Sequence, residues 1–198
     1  FYQPIPLGAQ RPRSSITKPG TVCTSGLLCY YQEMKAELVL ITGATSGIGF
    51  AICSAVRAAD MHIIGTQKKV AHGEKLRALI ADDPLSRALT ADLSRESEIE
   101  ELCKEIKGND ISISWTIHAA GMLDEHERDS VLSSERIREY FQVNTLAAMR
   151  VSQTLEPLIA FDGGEIFIGS TAGLRGNSGF PVYAATKAAL HNFALSLS

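Results

Sequence analysis

Two side chains with complementary chemistry stand close together near the end of the sequence, Tyr183 and Lys187. On a helix, residues four apart project from the same face. A lysine ammonium beside a phenol favours the phenolate, so this pair could transfer a proton as a general acid/base. Ser170 precedes the pair, just after the apolar residues 166–168. A serine at the end of a buried strand can meet both residues at the carboxyl edge of an α/β sheet, where ligands of such sheets bind.

A strand, a glycine-rich loop and a helix must position these three residues. The apolar run before Ser170 predicts the end of a buried strand, and an Ala-rich helix is predicted to begin near Pro181. An isolated Tyr-x-x-x-Lys pattern is more often an ordinary surface pair than a catalytic one. A second, independent motif upstream favours the catalytic interpretation.

That second motif is a glycine-rich stretch, residues 42–49, which directly follows the apolar strand predicted at residues 38–41. Gly43, Gly47 and Gly49 would let the backbone turn tightly and approach a ligand closely. The helix predicted beyond them presents free N–H groups and a positive dipole end to a pyrophosphate. A lone glycine-rich stretch is as often a plain turn. Here a strand precedes it and a helix follows it, which is the context of a dinucleotide site.

The end of the second predicted strand, residues 62–66, bears on the choice of dinucleotide. At this point of a dinucleotide fold an acid binds the free ribose 2′-hydroxyl, and a basic residue accommodates a 2′-phosphate. The sequence has no Asp or Glu between Met61 and Gly73, whereas Lys68 and Lys69 follow the strand. This favours NADPH, with Lys68 or Lys69 as the phosphate partner. The alternative is that both are solvated lysines in a turn.

The remaining elements alternate between helix and strand, which requires right-handed crossovers and a mainly parallel sheet with helices on both faces. Asn144 falls on the apolar stripe of the longest predicted helix. A buried amide needs hydrogen-bond partners, so Asn144 is either a satisfied core amide or part of the site. The predicted elements are a helix at 74–81, a strand at 85–91, a helix capped by Ser94 and stopped by Gly108, a strand at 111–117, and the long helix from Ser133 or Ser134.

Composition excludes several classes of partner. The 198 residues carry a net charge of -3, which gives no electrostatic reason to expect nucleic acid or an anionic membrane. No apolar run approaches the roughly 20 residues of a spanning helix. Cys23, Cys29, Cys53 and Cys103 form no Cys-x-x-Cys pair and have no histidine at ligand spacing. We therefore expect no metal site, a reducing and cytoplasmic location, and buried thiols at Cys53 and Cys103.

Both ends of the chain differ in character from the middle. Residues 1–36 are rich in proline and glycine with no steady period, so we predict a non-domain leader there and a dinucleotide-binding domain at 37–198. A targeting peptide is the alternative, because basic residues precede the mildly apolar residues 22–31, although residues 24–26 interrupt that stretch. At the other end, Ser198 stops inside a predicted helix. We therefore expect the domain to lack its last strands.

Together these motifs resemble the classical short-chain dehydrogenases/reductases, in the order and at the spacing of that family, from about Glu37 to Ser198. Any one of the motifs is weak evidence, but five in register are strong. The motifs are Thr42-Gly43-x-x-x-Gly47-x-Gly49, the pair Ala120-Gly121, Asn144, Ser170 and Tyr183-x-x-x-Lys187.

The resemblance implies a Rossmann-type sheet and a catalytic tetrad of Asn144, Ser170, Tyr183 and Lys187. Tyr183 would give a proton to a carbonyl oxygen that Ser170 polarises, while NADPH delivers hydride to the carbon. Lys187 would favour the phenolate and bind the nicotinamide ribose, and Asn144 would hold a water that relays protons. The implied cofactor-binding residues are Gly43, Thr45, Ser46, Gly47, Ile48, Gly49, Lys68, Asp92, Leu93, Ala119, Ala120, Gly121, Tyr183 and Lys187. Of these, Asp92 and Leu93 would lie at the adenine.

The chain departs from the family pattern at a few positions. His118-Ala119 stands where the family usually has two asparagines, a variant similar to one seen in polyketide-type ketoreductases. We expect His118 to cap its strand near the adenine rather than to act in catalysis, since no acid or nucleophile is placed to use it. Asp60 stands at a turn where the family commonly has glycine, a replacement that Asp can tolerate.

The function that these motifs favour is reduction of a small-molecule ketone to a secondary alcohol with NADPH, of the 3-oxoacyl reductase or carbonyl reductase type. One alternative is an NAD-dependent alcohol dehydrogenase. Another is a non-catalytic dinucleotide-binding protein or an inactive fragment. By analogy with the family, the helices that carry Asn144 and Tyr183 would form a homodimer or homotetramer.

Overall fold

A computed structural model describes residues 37–109, 111–128 and 130–197. The leader predicted for residues 1–36, together with Cys23 and Cys29, lies outside the described residues. Within the described ranges no helix is both long and apolar enough to cross a bilayer.

The described residues form one sheet of five parallel strands in the order β3-β2-β1-β4-β5. The order reverses between β1 and β4, because the chain first moves outward from β1 to β3 and then returns to the other side of β1. Ligands of open α/β sheets bind at such a switch point, beyond the carboxyl ends of the strands. The strands are β1 (Leu38–Thr42), β2 (His62–Gln67), β3 (Arg87–Thr90), β4 (Ile113–His118) and β5 (Ile159–Phe167).

Helices cover both faces of the sheet. Three short 3-10 helices lie between the main elements, at Val70–His72, Glu125–Arg128 and Glu156–Leu158. The α-helices are α1 (Gly47–Ala58), α2 (Glu74–Leu79), α3 (Glu96–Lys107), α4 (Ser134–Phe141), α5 (Ala147–Leu155), α6 (Thr171–Arg175) and α7 (Pro181–Ser196).

The surroundings of strand β1 explain why its sequence is continuously apolar. Leu38 and Leu40 belong to a core shared with α3 and α5, whereas Val39 and Ile41 belong to a second core shared with α1 and α2. A parallel strand with helices on both faces buries every side chain. The predicted doubly wound α/β fold of Rossmann type is therefore confirmed.

The two described cysteines are buried, as predicted. Cys53 belongs to the core on the α1 side and Cys103 to the core on the α3 side. Burial raises the pKa of the Cys53 thiol to about 12 and also raises that of Cys103. Both therefore act as small, protonated apolar side chains.

The start of α3 differs from the prediction. Arg95 occupies the N-cap position, and Ser94 does not cap the helix. Instead, the N–H and the hydroxyl of Ser94 both donate to Asp92 Oδ1, at 3.0 and 2.7 Å. An aspartate readily accepts hydrogen bonds from the residue two positions later, so the serine fixes the Asp92 turn. The predicted stop is correct, because Gly108 is the C-cap.

The predicted long helix is interrupted. It begins as predicted, with Ser133 Oγ accepting from the N–H of Arg136 at 3.1 Å. A π-helical turn, Gln142–Leu146, then separates α4 from α5. Such turns are common at functional sites, and Asn144 lies inside this one. Periodicity did not reveal it, because both flanking helices keep an apolar stripe.

Strand β5 begins well before the predicted residues 166–168. Residues 163 and 164 are both glycine, a residue that is depleted in strands, and they concealed the beginning of the strand. For β3 the predicted strand was too long: residues 85–91 were predicted, whereas the strand is Arg87–Thr90. Asp60 has a φ of 57°, the left-handed conformation that Asp tolerates.

Candidate active site

A cleft of about 700 Å³ lies beyond the carboxyl ends of the strands, at the switch point between β1 and β4. Met122, Leu123, Arg136, Glu139 and Val143, for which no role was predicted, form part of its wall. Ser170 and Asn144 are not among the lining residues. The predicted residues that line the cleft are Gly43, Thr45, Ser46, Gly47, Ile48, Gly49, Lys68, Asp92, Leu93, Ala119, Ala120, Gly121, Tyr183 and Lys187.

The glycine loop and the start of α1 form one wall of the cleft. Gly43 has a φ of 68°, and its N–H donates to Thr66 Oγ1 at 3.1 Å. A Cβ at Gly49 would lie only 2.1 Å from the carbonyl oxygen of Gly43, so the loop and the helix touch through their backbones. In the described part of the chain no side chain caps α1, and its first turn has no acidic residue. Its free N–H groups therefore suit an anionic ligand.

Of Lys68 and Lys69, the two lysines that follow β2, Lys68 lines the cleft. Its Nζ lies 3.3 Å from Asp92 Oδ2, and its side chain is half exposed. Burial raises the pKa of Asp92, but the hydrogen bonds from Ser94 and the ion pair with Lys68 outweigh that effect, so the pKa lies below its usual range. Lys69 precedes the 3-10 helix Val70–His72 and does not line the cleft. Of the two lysines left open by the sequence, Lys68 is the one that lines the cleft.

Ser170 lies two residues after Ile168, at the start of α6. It is the N-cap of that helix, and its Oγ accepts from the N–H of Ala172 at 3.2 Å. A hydroxyl that accepts in this way still has its own proton to donate. The neighbouring Gly169 lines the cleft, so the Ser170 hydroxyl can serve as a donor at the edge of the cleft.

Lys187 is buried, with 4% of its surface exposed. Its Nζ donates to the carbonyl oxygen of Ile168 at 2.9 Å and lies 6.0 Å from the centre of the Tyr183 ring. Burial lowers the pKa of this lysine. The ammonium group has three donors, and the bond to Ile168 uses one of them. Tyr183 and Lys187 therefore face the same cleft from one side of α7, as their spacing predicted.

Asn144 connects two walls of the site through its buried amide. Its Oδ1 accepts from the N–H of Met122 at 2.7 Å, and its Nδ2 donates to the Met122 carbonyl and to Thr186 Oγ1, at 3.0 and 3.1 Å. A Cβ at Gly121 would lie 3.5 Å from both Asn144 Oδ1 and Lys187 Nζ. The amide is thus a satisfied core group, and its Oδ1 and the lysine Nζ both border the space beside Gly121. Both interpretations of Asn144 are compatible with this geometry.

Gly173, which the sequence analysis did not single out, brings α6 against α7. A Cβ there would lie 2.7 Å from the carbonyl carbon of Lys187 and 2.8 Å from the N of Ala188. The glycine therefore sets how closely the serine-bearing turn approaches the lysine. A glycine opposite an Ala-rich helix is a signal of close packing that the sequence does contain.

His118 lies in a different environment from the one predicted. It is buried, its ring stacks on Phe167 with centroids 4.4 Å apart, and its Nε2 lies 3.0 Å from Glu165 Oε1. The other oxygen of Glu165 accepts from Ser152 Oγ at 2.7 Å. The histidine is the last residue of β4, as expected, and it does not line the cleft. An acid does lie beside it, but on the neighbouring strand β5, 47 residues later.

Among the described residues no three His, Cys, Asp or Glu side chains are grouped closely enough to hold a metal ion. What the cleft contains instead is a phenol, an ammonium, a nearby hydroxyl and an uncapped helix N-terminus. These groups can hold an anion and move one proton.

Comparison with known proteins relates this arrangement to one family. A family model described as short chain dehydrogenase matches residues 37–198. The chain is 31% identical to carbonyl reductase family member 4 of Xenopus tropicalis over 167 residues, which is 82% of this chain and 68% of that protein. It is 29% identical to the 3-oxoacyl-[acyl-carrier-protein] reductase FabG of Haemophilus influenzae over 170 residues, 83% of this chain and 68% of that one.

A solved structure extends the comparison to three dimensions. The chain is similar to a short-chain dehydrogenase from Streptomyces avermitilis, with a TM-score of 0.72 and 26% identity. The match covers 82% of this chain and 60% of that one. The chain therefore spans about two thirds of the length of the curated relatives above and somewhat less of this structure.

Proposed function

Because the chain belongs to the short-chain dehydrogenase/reductase family, we propose that it reduces a ketone to a secondary alcohol with NADPH. The reaction would be of the 3-oxoacyl reductase or carbonyl reductase type, like those that give two of its relatives their names. In this proposal residues 37–198 are the reductase domain and residues 1–36 a leader outside it. The protein would assemble as a homodimer or homotetramer, by analogy with the family.

The observation that carries the proposal is the meeting of two motifs in one cleft. The glycine loop after β1 and the Tyr183-Lys187 pair on α7 lie far apart in sequence, yet both line it. Ser170 follows Gly169, which lines the same cleft, and Lys187 is buried rather than directed into solvent. A surface Tyr-Lys pair would have no reason to share a cleft with an open helix N-terminus.

The chain's own residues fit a dinucleotide. The backbone contact between Gly43 and Gly49 leaves no room for a Cβ at position 49, and the first turn of α1 lacks an acidic side chain. A pyrophosphate would accept hydrogen bonds from the free N–H groups of that turn. Lys68 would face the ribose phosphate, and Asp92 and Leu93 would lie at the adenine. The bound nicotinamide would supply the hydride.

The protein's part in the reaction is to hold the carbonyl oxygen and to give it a proton. Ser170 would donate a hydrogen bond from its hydroxyl to that oxygen, while its own oxygen accepts from the Ala172 N–H. Tyr183 would then transfer its phenolic proton to the same oxygen as negative charge develops there. The product is a secondary alcohol, and Tyr183 is left as a phenolate.

Lys187 and Asn144 would return the site to its starting state. The Lys187 ammonium stabilises the phenolate by charge, and burial strengthens that interaction because the surroundings screen it poorly. Asn144 would hold a water that brings a proton back to Tyr183. The hydrogen bond from Thr186 Oγ1 to the Tyr183 carbonyl, at 2.7 Å, extends the connection between Asn144 and the tyrosine's own turn.

The direct test is turnover. The purified chain is incubated with NADPH, or with NADH, and a panel of ketones that includes 3-oxoacyl thioesters, and consumption of the reduced nucleotide is followed. We expect consumption that depends on the ketone and is faster with NADPH. If the folded chain binds NADPH but does not consume it with any ketone of the panel, a non-catalytic dinucleotide-binding protein becomes the better hypothesis.

Lys68 is expected to distinguish the two nucleotides. Hydrogen bonds to charged groups contribute about 1.5–3 kcal/mol. Lys68 is half exposed and already paired with Asp92, so the lower end of that range applies. We therefore expect Lys68→Ala to weaken NADPH binding by roughly 10-fold and NADH binding by less than about 2-fold, measured by fluorescence titration.

Lys69→Ala is the matched control for this experiment. It removes the same charge from the next residue, which does not line the cleft. We expect its affinity for both nucleotides to equal that of the wild type. An equal loss for NADPH and NADH in Lys68→Ala, or tighter binding of NADH by the wild type, would contradict the assignment of Lys68.

A further inference from the structure

The first turn of α7, which carries Tyr183, receives its cap from a distant segment. Pro181 opens the helix and has no N–H. The N–H of Ala184 already donates to the carbonyl oxygen of Phe180 at 2.9 Å. Only the N–H groups of Val182 and Tyr183 remain without an acceptor inside the helix. Phe180, at the N-cap, has no side-chain oxygen with which to accept from them.

Both of these N–H groups reach the same carboxylate oxygen. Glu127 Oε1 accepts from the N–H of Val182 at 2.6 Å and from the N–H of Tyr183 at 3.2 Å. Glu127 belongs to the 3-10 helix Glu125–Arg128, between β4 and α4. A carboxylate at a helix N-terminus is stabilised by the helix dipole as well as by the hydrogen bonds. This one acceptor therefore satisfies every free donor of that turn.

Two further features indicate that this contact is built rather than incidental. Glu127 is buried, with 6% of its surface exposed. Burial and the neighbouring Glu127 carboxylate together raise the pKa of the Tyr140 phenol. The next residue, Arg128, places its guanidinium 5.1 Å from the centre of the Phe180 ring. The short helix thus contacts the start of α7 at two adjacent points, one polar and one cation-π.

We propose that Glu127 is a positioning residue for Tyr183. Its carboxylate fixes the backbone of the tyrosine itself, and through that backbone it fixes where the phenol stands relative to Ser170. A displacement of about 1 Å at a reacting group can cost roughly 100-fold in rate, so the cap affects turnover although it touches neither substrate nor cofactor. This inference rests on the proposed role of Tyr183 as proton donor. The two hydrogen bonds that Glu127 accepts from α7 do not depend on that role.

Three variants of the full chain test the proposal. Glu127→Ala removes the acceptor, Glu127→Gln removes the charge but keeps an acceptor oxygen, and Glu125→Ala removes the same charge from an exposed position of the same short helix. We expect Glu127→Ala to lower kcat by roughly 10- to 100-fold, with KM and the Kd for NADPH changed by less than about 2-fold. Glu127→Gln should recover most of the loss in kcat, and Glu125→Ala should match the wild type.

Amide hydrogen exchange supplies a readout that does not depend on turnover. Glu127→Ala should speed exchange at Val182 and Tyr183, which lose their acceptor, and should leave Ala184 unchanged. If the wild type reduces no ketone, the proposed function fails, while faster exchange at these two amides still supports the cap. Unchanged exchange at both amides overturns the inference whatever the assay gives. So does a wild-type kcat in Glu127→Ala, or a loss in Glu127→Gln as large as that in Glu127→Ala.

Discussion

Replacing Tyr183 by phenylalanine is expected to abolish ketone reduction and to leave dinucleotide binding intact. The substitution removes one hydroxyl and keeps the ring that lines the cleft. A positioned general acid accelerates a reaction by about 10²- to 10⁴-fold, and the phenol is the one proton donor proposed for the carbonyl oxygen. We therefore expect kcat to fall by roughly 10³-fold or more, with the Kd for NADPH within about 2-fold of the wild type.

Tyr140→Phe removes the same hydroxyl from a tyrosine outside the cleft. The Tyr140 oxygen accepts from the N–H of Asp124 at 2.7 Å, and the hydroxyl also interacts with Glu127. Its loss should cost about 1 kcal/mol of unfolding free energy and lower kcat far less than Tyr183→Phe does. Steady-state kinetics, a fluorescence titration with NADPH and thermal unfolding of both variants provide the comparison. Turnover retained in Tyr183→Phe would refute the assigned proton donor.

Gly49→Ala is expected to abolish dinucleotide binding. The new Cβ would lie 2.1 Å from the carbonyl oxygen of Gly43 and 2.9 Å from its carbonyl carbon. Both are backbone atoms of the glycine loop, so no side chain can rotate to make room, and the loop must move away from α1. Loss of two hydrogen bonds to the charged pyrophosphate, at about 1.5–3 kcal/mol each, should weaken NADPH binding by roughly 100-fold or more.

Gly108→Ala is the control for the glycine substitution. Gly108 ends α3, and the nearest atom to a Cβ there is the Lys104 carbonyl oxygen at 3.4 Å, an ordinary contact. Fluorescence titration and thermal unfolding of both variants separate a local effect on the loop from a general effect on the fold. NADPH affinity in Gly49→Ala equal to that in Gly108→Ala would contradict the role of the loop.

The parts of the structure that could be predicted from sequence are those determined by residues that lie close together in the chain. Strand β1, the glycine loop and α1 follow one another directly, so the position of Gly43 at a strand end follows from the pattern of residues alone. Tyr183 and Lys187 share a helix, and helix geometry determines their common face. Ser170 follows the apolar run that ends β5.

The parts that could not be predicted depend on pairs of residues far apart in sequence. His118 meets Glu165 because β4 and β5 are neighbours, and nothing local to His118 indicates that acid. Glu127 lies between β4 and α4, yet it caps a helix 55 residues later. The π-helical turn around Asn144 also left no trace in the apolar pattern.

The order of the strands has an evolutionary consequence. In the function proposed here, nucleotide preference would be encoded by residues 37–93 and carbonyl chemistry by residues 118–187. These stretches are separated in sequence by α3 and most of β4 but meet along a border where β1 and β4 end, at the pair Thr42 and His118. Substitutions that alter which nucleotide is accepted can accumulate in the first stretch while the second is conserved. The border itself, where the N–H of Ala120 donates to Thr42 Oγ1 at 3.2 Å, is the part that both kinds of variation must preserve.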